Sequence, residues 1–258
     1  MDTRLDGQHA LVLGASQGIG RAVAMELAEL GATITVLARD QAKLDALLGE
    51  LAGSGHSAHA IDVSNTTALA DRMHALADKR PISIIVNNSG GPAPGPAHTA
   101  VASSYEAAFR QHLLAYQTVA LALVPGMKER GHGRIINIIS TSVKQPLHNL
   151  GVSNTIRAAV ANWAKTLAHE LGQHGITVNN VLPGATSTER LDAIVRNKAA
   201  KQGISEEAAA EEMRAEIPMR RFARPEEIAH AVAFLAGPAG AYINGINLPV
   251  DGGRTACL

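Results

Sequence analysis

Three glycines in the stretch GASQGIG could hold a phosphate group. Gly14, Gly18 and Gly20 follow a short apolar run and open a segment with helical apolar spacing. Glycines at such a turn let the backbone approach a pyrophosphate, and the free N–H groups and dipole of the following helix stabilise its negative charge. A glycine-rich turn alone is common, but between a strand and a helix it predicts a dinucleotide site. The other turn residues expected at that site are Ser16, Gln17 and Ile19.

The elements that must position this turn are strands and helices in regular alternation. Short apolar runs predict strands at 9–14, 33–38, 56–63, 82–88, 134–140 and 176–183. Helical spacing predicts helices at 18–31, 40–53 and 66–79, a long helix ending near Arg130, and a helix at 151–174. Strands that are apolar on both faces fit a parallel sheet covered by helices on both sides. We therefore predict one α/β domain over 1–258, with a doubly wound, Rossmann-like parallel sheet of about seven strands.

The composition excludes several classes of function. The chain has 23 basic and 23 acidic residues, whereas proteins that bind nucleic acids or anionic membranes usually carry a basic excess. Cys257 is the single cysteine, so no intrachain disulfide can form. No apolar run is long enough for a membrane span, the N-terminus has no signal pattern, and no His/Cys/Asp cluster has metal-ligand spacing. We predict a soluble, cytoplasmic protein that binds no nucleic acid, membrane or metal.

Further segments complete the pattern of a known family. NNSG at 87–90 follows the fourth predicted strand, GRIINIIS ends at Ser140, and LPGATSTE spans 182–189. RFARPEEIAHAVAFLAG and INGINLPVDGG provide a last helix and a last strand. Together with the G-x-x-x-G-x-G spacing of the first turn, they make residues 5–253 resemble the short-chain dehydrogenase/reductase family, and 3-oxoacyl-carrier-protein reductases most of all. The resemblance implies a nicotinamide-dependent oxidoreductase for a small-molecule or acyl substrate.

The same resemblance carries two expectations about larger parts of the molecule. It implies a homotetramer or a homodimer, assembled through the helices at 103–130 and 151–174 and the C-terminal strand. It also implies a mobile substrate lid at about 189–217. The composition of that segment, rich in Ala, Glu, Lys and Arg, by itself indicates only a solvated helical pair.

Arg39 indicates which nicotinamide cofactor is bound. It lies just past the second predicted strand, where a guanidinium suits the 2′-phosphate of NADP and an acidic residue would suit the 2′-hydroxyl of NAD. Many relatives that prefer NADP also carry a basic residue inside the glycine turn, where this chain has Gln17. We predict NADP, with NADPH favoured over NADH, although Arg39 could be merely solvated. The resemblance adds these cofactor contacts: Asp62, Val63, Asn88, Gly90, Arg157, Pro183, Gly184, Thr186 and Thr188. Asp62 and Thr188 could equally be helix caps.

The catalytic positions of the family are mostly replaced in this chain. In the family a tyrosine acts as general acid/base, a lysine four residues later acidifies it, a serine orients the carbonyl and an asparagine holds a water. Counting from Ser140, which keeps the serine, Ser153 stands at the tyrosine position, Arg157 at the lysine position and His112 at the asparagine position. An aliphatic hydroxyl is a far weaker acid than a phenol, and a guanidinium does not exchange protons near neutral pH. Arg157 could still bind the ribose and stabilise negative charge.

Three explanations of this departure compete. The protein could reduce a conjugated C=C–C=O, with the enolate oxygen held by Ser140 and by the side chains at the tyrosine and lysine positions. A substitute acid could act instead, and the candidates are Lys144, His148 and His112, since histidine titrates near neutral pH. The chain could also be a catalytically inactive nucleotide-binding protein, either a sensor or a partner subunit. We favour a reductase with a non-standard active site.

Overall fold

The computed structural model describes residues 3–257, and within them seven strands form one parallel sheet. The strands are β1 (His9–Leu13), β2 (Thr33–Ala38), β3 (Ser57–Ala60), β4 (Ile84–Asn87), β5 (Gly133–Ile138), β6 (Ile176–Pro183) and β7 (Asn247–Val250). Their order across the sheet is β3-β2-β1-β4-β5-β6-β7. Because the order reverses between β1 and β4, the loops after these two strands diverge, and they leave a crevice at the carboxyl ends of the strands.

Helices cover both faces of the sheet. They are α1 (Gly18–Glu29), α2 (Gln41–Leu48), α3 (Thr66–Lys79), α4 (Ala102–Phe109), α5 (Ala115–Arg130), α6 (Gly151–Leu171), α7 (Glu189–Gln202), α8 (Glu206–Ala215) and α9 (Pro225–Ala236). Successive residues of a strand point to opposite faces. Ala10 and Val12 of β1 therefore pack in the layer with α1 and α9, and Leu11 and Leu13 in the layer with α3, α5 and α6. The predicted doubly wound α/β fold is confirmed.

The helix predicted to end near Arg130 is interrupted in its middle. After α4, residues Arg110–Leu114 form a π-helical turn before α5 resumes. A π turn contains an extra residue relative to an α turn, so it shifts which side chains face inward. His112, in the centre of this turn, is completely buried. Apolar periodicity carries no signal for such a local change, and the sequence predicted a continuous helix.

Four asparagines bond side chain to side chain across β4, β5, β6 and β7, and we call them the asparagine ladder. Asn87, Asn137, Asn180 and Asn247 are direct neighbours in the strand register. The amide of Asn87 donates to Asn137 at 2.8 Å, Asn137 donates to Asn180 at 2.9 Å, and Asn180 donates to Asn247 at 2.8 Å. Each of the two middle side chains thus donates through its nitrogen and accepts through its oxygen.

Candidate active site

An open cleft of about 1360 Å³ lies at the carboxyl ends of the strands, where the fold leaves its crevice. Of the residues expected to contact a cofactor, these line the cleft: Gly14, Ser16, Gln17, Gly18, Ile19, Arg39, Asp62, Val63, Asn88, Gly90, Arg157, Pro183, Gly184, Thr186 and Thr188. Gly20 is not among the lining residues, but it packs closely against Gly14 within the turn. The sequence pattern therefore brings together one continuous surface from residues spread over most of the chain.

The glycine turn is closely packed and leaves its helix end open. A Cβ on Gly20 would lie 2.2 Å from the carbonyl oxygen of Gly14, so the turn requires glycine there. Gly14 and Gly18 have φ values of +64° and +55°, which favour glycine as well. Asn88, after β4, donates to the carbonyl of Gly14 at 3.1 Å and holds the turn against the sheet. No side chain caps the N-terminus of α1, so its N–H groups remain open to an anion.

Two cations lie at the β2 end of the cleft. Arg39 is exposed there, and Lys43 of α2 donates to Gln17 Oε1 at 3.1 Å. The glycine turn thus has a basic group beside it, although its own sequence has none. The sequence analysis missed Lys43, because it lies on a helix and outside every motif. The available signal was a second basic residue four positions after Arg39.

Asp62 forms a local turn at the same end of the cleft. Its Oδ1 accepts hydrogen bonds from the backbone N–H and the hydroxyl of Ser64, at 2.9 and 2.7 Å. These bonds, with a smaller effect of the Arg39 charge, lower the pKa of Asp62. The cap of α3 is Asn65, which accepts from Ala68 N at 3.1 Å. The alternative that Asp62 caps this helix is therefore wrong.

The threonines after β6 are held by local hydrogen bonds. Thr186 is buried and donates to the carbonyl of Gly184 at 3.1 Å. Thr188 is the N-cap of α7: its hydroxyl accepts from Leu191 N at 3.4 Å and donates to Thr186 O at 3.1 Å. The capping alternative for Thr188 is correct, and the capped helix end forms part of the cleft wall.

Arg157 is a buried cation in the wall of the cleft. It lies on α6 and donates to the carbonyl oxygens of Ile138, at 3.1 Å, and Ser89, at 3.3 Å. Burial lowers the pKa of Arg157, and the charge of Arg190 lowers it further. A guanidinium nevertheless stays protonated near neutral pH. The lysine position of the family therefore holds a fixed positive charge that links α6 to the ends of β4 and β5.

Ser89 connects Arg157 to two further polar side chains. Its Oγ lies 2.5 Å from Nδ1 of His112 and 2.8 Å from the hydroxyl of Tyr116. Tyr116 is fully buried, and the positive charge of Arg157 acts to lower its pKa, against the larger effect of burial. The sequence analysis missed Ser89 and Tyr116 as site residues. The signals were a serine where the family has alanine in NNSG, and a tyrosine one helical turn after His112.

His112 does not titrate near neutral pH. Burial, with the charges of Arg157 and Arg190, lowers its pKa to about 2. The expectation that its imidazole titrates in the neutral range is wrong, because burial keeps the imidazole uncharged there. Its Nδ1 faces Ser89, whereas its Nε2 is buried without a hydrogen-bond partner among the described residues.

The two serines of the expected catalytic set lie near Arg157 but outside the lining of the cleft. Ser140 begins a short 3₁₀ turn, where its Oγ accepts from Ser142 N at 3.1 Å. Ser153 is buried in the first turn of α6, one helical turn before Arg157 and on the same side.

The two loop candidates for a substitute acid lie outside the described lining of the cleft. Neither Lys144 nor His148 belongs to the described residues that line the cleft, and His148 is exposed. Lys165, the nearest lysine on α6, donates to Gly245 O at 3.1 Å and cannot replace a lysine at position 157.

The first half of α7 forms part of the cleft wall, whereas α8 contributes none of the described lining residues. α7 and α8 pack together through a small apolar cluster that includes Leu191, Val195 and Ala209. Arg190 of α7 donates to the carbonyls of Gly91, at 2.9 Å, and Pro92, at 3.3 Å. The segment predicted as a lid is thus a helical pair tied to the loop after β4. The sequence offered no signal for Arg190 beyond its place in a segment rich in charge.

Two negative results limit the chemistry of the described residues. Among residues 3–257, no group of three or more His, Cys, Asp or Glu side chains could hold a metal ion. No helix in that range is long and apolar enough to cross a membrane.

Known proteins share this fold and these motifs over nearly the full chain. Residues 14–255 match the family model described as Enoyl-(Acyl carrier protein) reductase. The chain is 31% identical to NADPH-dependent reductase BacG of Bacillus subtilis, over 95% of this chain and 96% of that protein. It is 33% identical to 3-oxoacyl-[acyl-carrier-protein] reductase FabG of Vibrio cholerae, over 96% of this chain and 98% of that protein.

A solved structure agrees with these relatives. L-Sorbose reductase from Gluconobacter frateurii, in complex with NADPH and L-sorbose, superposes with a TM-score of 0.93 at 30% identity, and the match covers 100% of both chains. The relatives named here are all reductases, and the expected resemblance is confirmed. The chain therefore belongs to the short-chain dehydrogenase/reductase family of oxidoreductases.

Proposed function

We propose that the protein is an NADPH-dependent reductase with a non-standard active site. It acts on a carbonyl or a conjugated C=C–C=O of a small-molecule or acyl substrate. The observation that carries the proposal is a buried, charged Arg157 in the wall of a cleft whose glycine turn retains the family pattern. Cofactor binding is thereby kept, while the tyrosine and lysine positions hold Ser153 and Arg157.

The residues of the cleft fit NADPH at both ends. The open N-terminus of α1 suits the pyrophosphate, and Arg39 with Lys43 suits the 2′-phosphate. Thr186, Thr188 and the Pro183–Gly184 segment would hold the nicotinamide end, and Arg157 its ribose. NADPH supplies a hydride when bound.

A conjugated enone is the substrate class that this site suits best. Hydride addition at the distal carbon of C=C–C=O leaves the negative charge on the enolate oxygen, and a fixed cation stabilises that charge without giving up a proton. Arg157, assisted by Ser140 and Ser153, would have this role. The name of the matching family model, an enoyl reductase, supports the same class.

Two measurements test the proposal. NADPH and NADH are titrated by fluorescence, and absorbance of NADPH is then followed with a panel of simple ketones and conjugated enones. We expect tight NADPH binding and turnover of enones above simple ketones. NADPH binding without turnover on any substrate would instead support an inactive nucleotide-binding protein. The double variant Ser153→Tyr with Arg157→Lys should raise simple-ketone reduction, because it restores the family pair.

Assembly and lid movement belong to the same proposal. Phe109, Leu114 and Leu121 of the α4–α5 region are exposed apolar side chains, and Leu121 is 67% exposed. We propose that this surface is covered in a homotetramer or a homodimer, which light scattering would detect. The α7–α8 pair would act as the substrate lid of a single domain. A cytoplasmic location remains a prediction from the single cysteine.

A further inference from the structure

We propose that Tyr116, Ser89 and His112 form a proton relay that ends at the substrate oxygen, with Arg157 stabilising the charge left on Tyr116. This inference rests on the proposed reductase function. It assigns the proton donor that Ser153 cannot provide. In effect, a tyrosine beside a cation is rebuilt between two helices, since Tyr116 lies on α5 and Arg157 on α6.

The side chains of Ser89, His112 and Tyr116 are already hydrogen-bonded to one another, and Arg157 bonds the backbone of Ser89. The Oγ of Ser89 lies between His112 Nδ1, at 2.5 Å, and the Tyr116 hydroxyl, at 2.8 Å. The rings of His112 and Tyr116 meet edge to face, with centroids 6.2 Å apart. Arg157 donates to the Ser89 carbonyl at 3.3 Å, which places its positive charge beside the network. A proton can therefore pass along this line of hydrogen bonds without movement of the backbone.

The direction of these hydrogen bonds follows from Arg157. The positive charge of Arg157 attracts the oxygen of Tyr116, so the phenol proton points away from the guanidinium and toward Ser89. Ser89 Oγ accepts that proton and donates its own to Nδ1 of His112. An uncharged imidazole that accepts at Nδ1 carries its proton on Nε2. His112 is thus held as a donor through Nε2.

That donor is the unmet end of the network. Nε2 of His112 is buried and has no hydrogen-bond partner among the described residues, and an unpaired buried polar group destabilises the folded state. Such groups point to a ligand, a water or a catalytic role. Ser89, which bonds Nδ1, and Gln111, which precedes His112 in the chain, both line the cleft, whereas His112 itself is not among the described lining residues. The π turn that places His112 is also of a kind found often at functional sites.

The proton steps balance as follows. After the substrate has gained hydride, its oxygen takes a proton from one water, which takes the Nε2 proton of His112, and an O–H bond replaces an N–H bond. Nδ1 takes the Ser89 proton, and Ser89 takes the phenol proton. The negative charge has then moved from the substrate to Tyr116, beside the Arg157 guanidinium. When the product leaves, a water in the cleft returns a proton to Nε2, and the relay reverses and restores the phenol.

Burial sets the resting state of the relay. It raises the pKa of Tyr116, against the opposing effect of Arg157, so the phenol is protonated before reaction. An alkoxide or enolate is needed to draw the proton away. The relay therefore stays idle in the absence of a reacting substrate.

Kinetics of three variants test the relay. Tyr116→Phe, Ser89→Ala and His112→Gln should each lower kcat about 100-fold, the usual size of a general-acid effect, with little change in KM or NADPH affinity. Tyr105→Phe is the matched control, since Tyr105 packs against an apolar cluster and has no hydrogen bond to the network among the described residues, and it should keep wild-type kcat. Wild-type kcat in Tyr116→Phe and Ser89→Ala would overturn the relay while leaving the reductase proposal intact.

A second measurement needs no cofactor. Nitrogen-15 NMR of labelled histidine in the free protein should show one imidazole, absent in His112→Gln, with a protonated Nε2 and an unprotonated Nδ1 down to pH 5. A proton on Nδ1, or titration between pH 6 and 7, would overturn the relay. If the wild type shows the expected imidazole but turns over no substrate, the reductase proposal fails, and the relay loses its catalytic role for that reason alone.

Discussion

The two sides of the cleft are built by different means. The glycine-turn side, formed by residues 14–20 with Arg39, offers mostly backbone: a tight turn, an uncapped helix end and close contacts that require glycine. The Arg157 side, formed by Ser89, His112, Tyr116 and Arg157, works through side chains bonded to each other. A binding site that is built from backbone groups tolerates few single substitutions. A side-chain network can be exchanged if its members change together, and here serine, histidine and arginine all stand where the family has other residues.

Removal of the Arg157 charge should have the largest effect. Arg157→Met retains an unbranched side chain and removes the cation and its hydrogen bonds to the carbonyls of Ile138 and Ser89. Loss of one preorganised donor to an oxyanion lowers kcat by about 100- to 1000-fold. Arg157→Lys should retain more of kcat, because it keeps the charge. Steady-state kinetics on an enone would measure both, and equal losses in the two variants would show that charge is not what matters.

Gly20→Ala should damage the other side almost as much. Its Cβ would stand 2.2 Å from the Gly14 oxygen, so the turn must shift. At about 3 kcal/mol for such overpacking, NADPH affinity should fall roughly 100-fold. Gly95→Ala is the control, because a Cβ on Gly95 meets nothing within 4 Å. Fluorescence titration provides both values, and unchanged binding in Gly20→Ala would contradict a backbone-built site.

Arg39→Ala should separate the two cofactors. The loss of an ionic contact with a 2′-phosphate should weaken NADPH binding by about 50-fold, close to 2 kcal/mol, and leave NADH binding unchanged. Arg72→Ala on α3, outside the lining of the cleft, should alter neither affinity. Equal losses for NADPH and NADH would show that Arg39 acts on the structure of the turn and not on the phosphate.

His112→Gln should change how acid affects stability. Because the pKa of His112 is about 2 when folded and near 6.5 when unfolded, the unfolded chain binds the extra proton between these values. The free energy of unfolding therefore falls as pH drops below 6.5, by about 2 kcal/mol at pH 5 from this group. Urea unfolding at pH 7 and pH 5 should show a smaller acid loss in His112→Gln. An equal loss in both proteins would contradict the burial of an uncharged imidazole.

The contrast between the two sides also explains what the sequence could predict. Alternating apolar runs and the glycine spacing were enough for the α/β fold and for the residues along the floor of the cleft, since these depend on local chain geometry. The network depends on three separate segments: the end of β4, a π turn and α6. In the family pattern the tyrosine and its cation lie on one helix, four residues apart. Tyr116 lies on α5, whereas the cation that acts on it, Arg157, lies on α6. Burial, which makes His112 uncharged, is likewise a property of the folded molecule.

The asparagine ladder has a consequence for how the cleft is aligned. Strands that are apolar on both faces would still bury the same faces after a slip of two residues, about 6.6 Å along the sheet. Such a slip would break each amide bond that it touches among Asn87, Asn137, Asn180 and Asn247. The ladder thus fixes the register of these strands. The loops that follow β4, β5 and β6 therefore begin at matching positions along the edge of the sheet. The asparagines of the ladder thereby determine whether the side chains that contact the substrate are brought together.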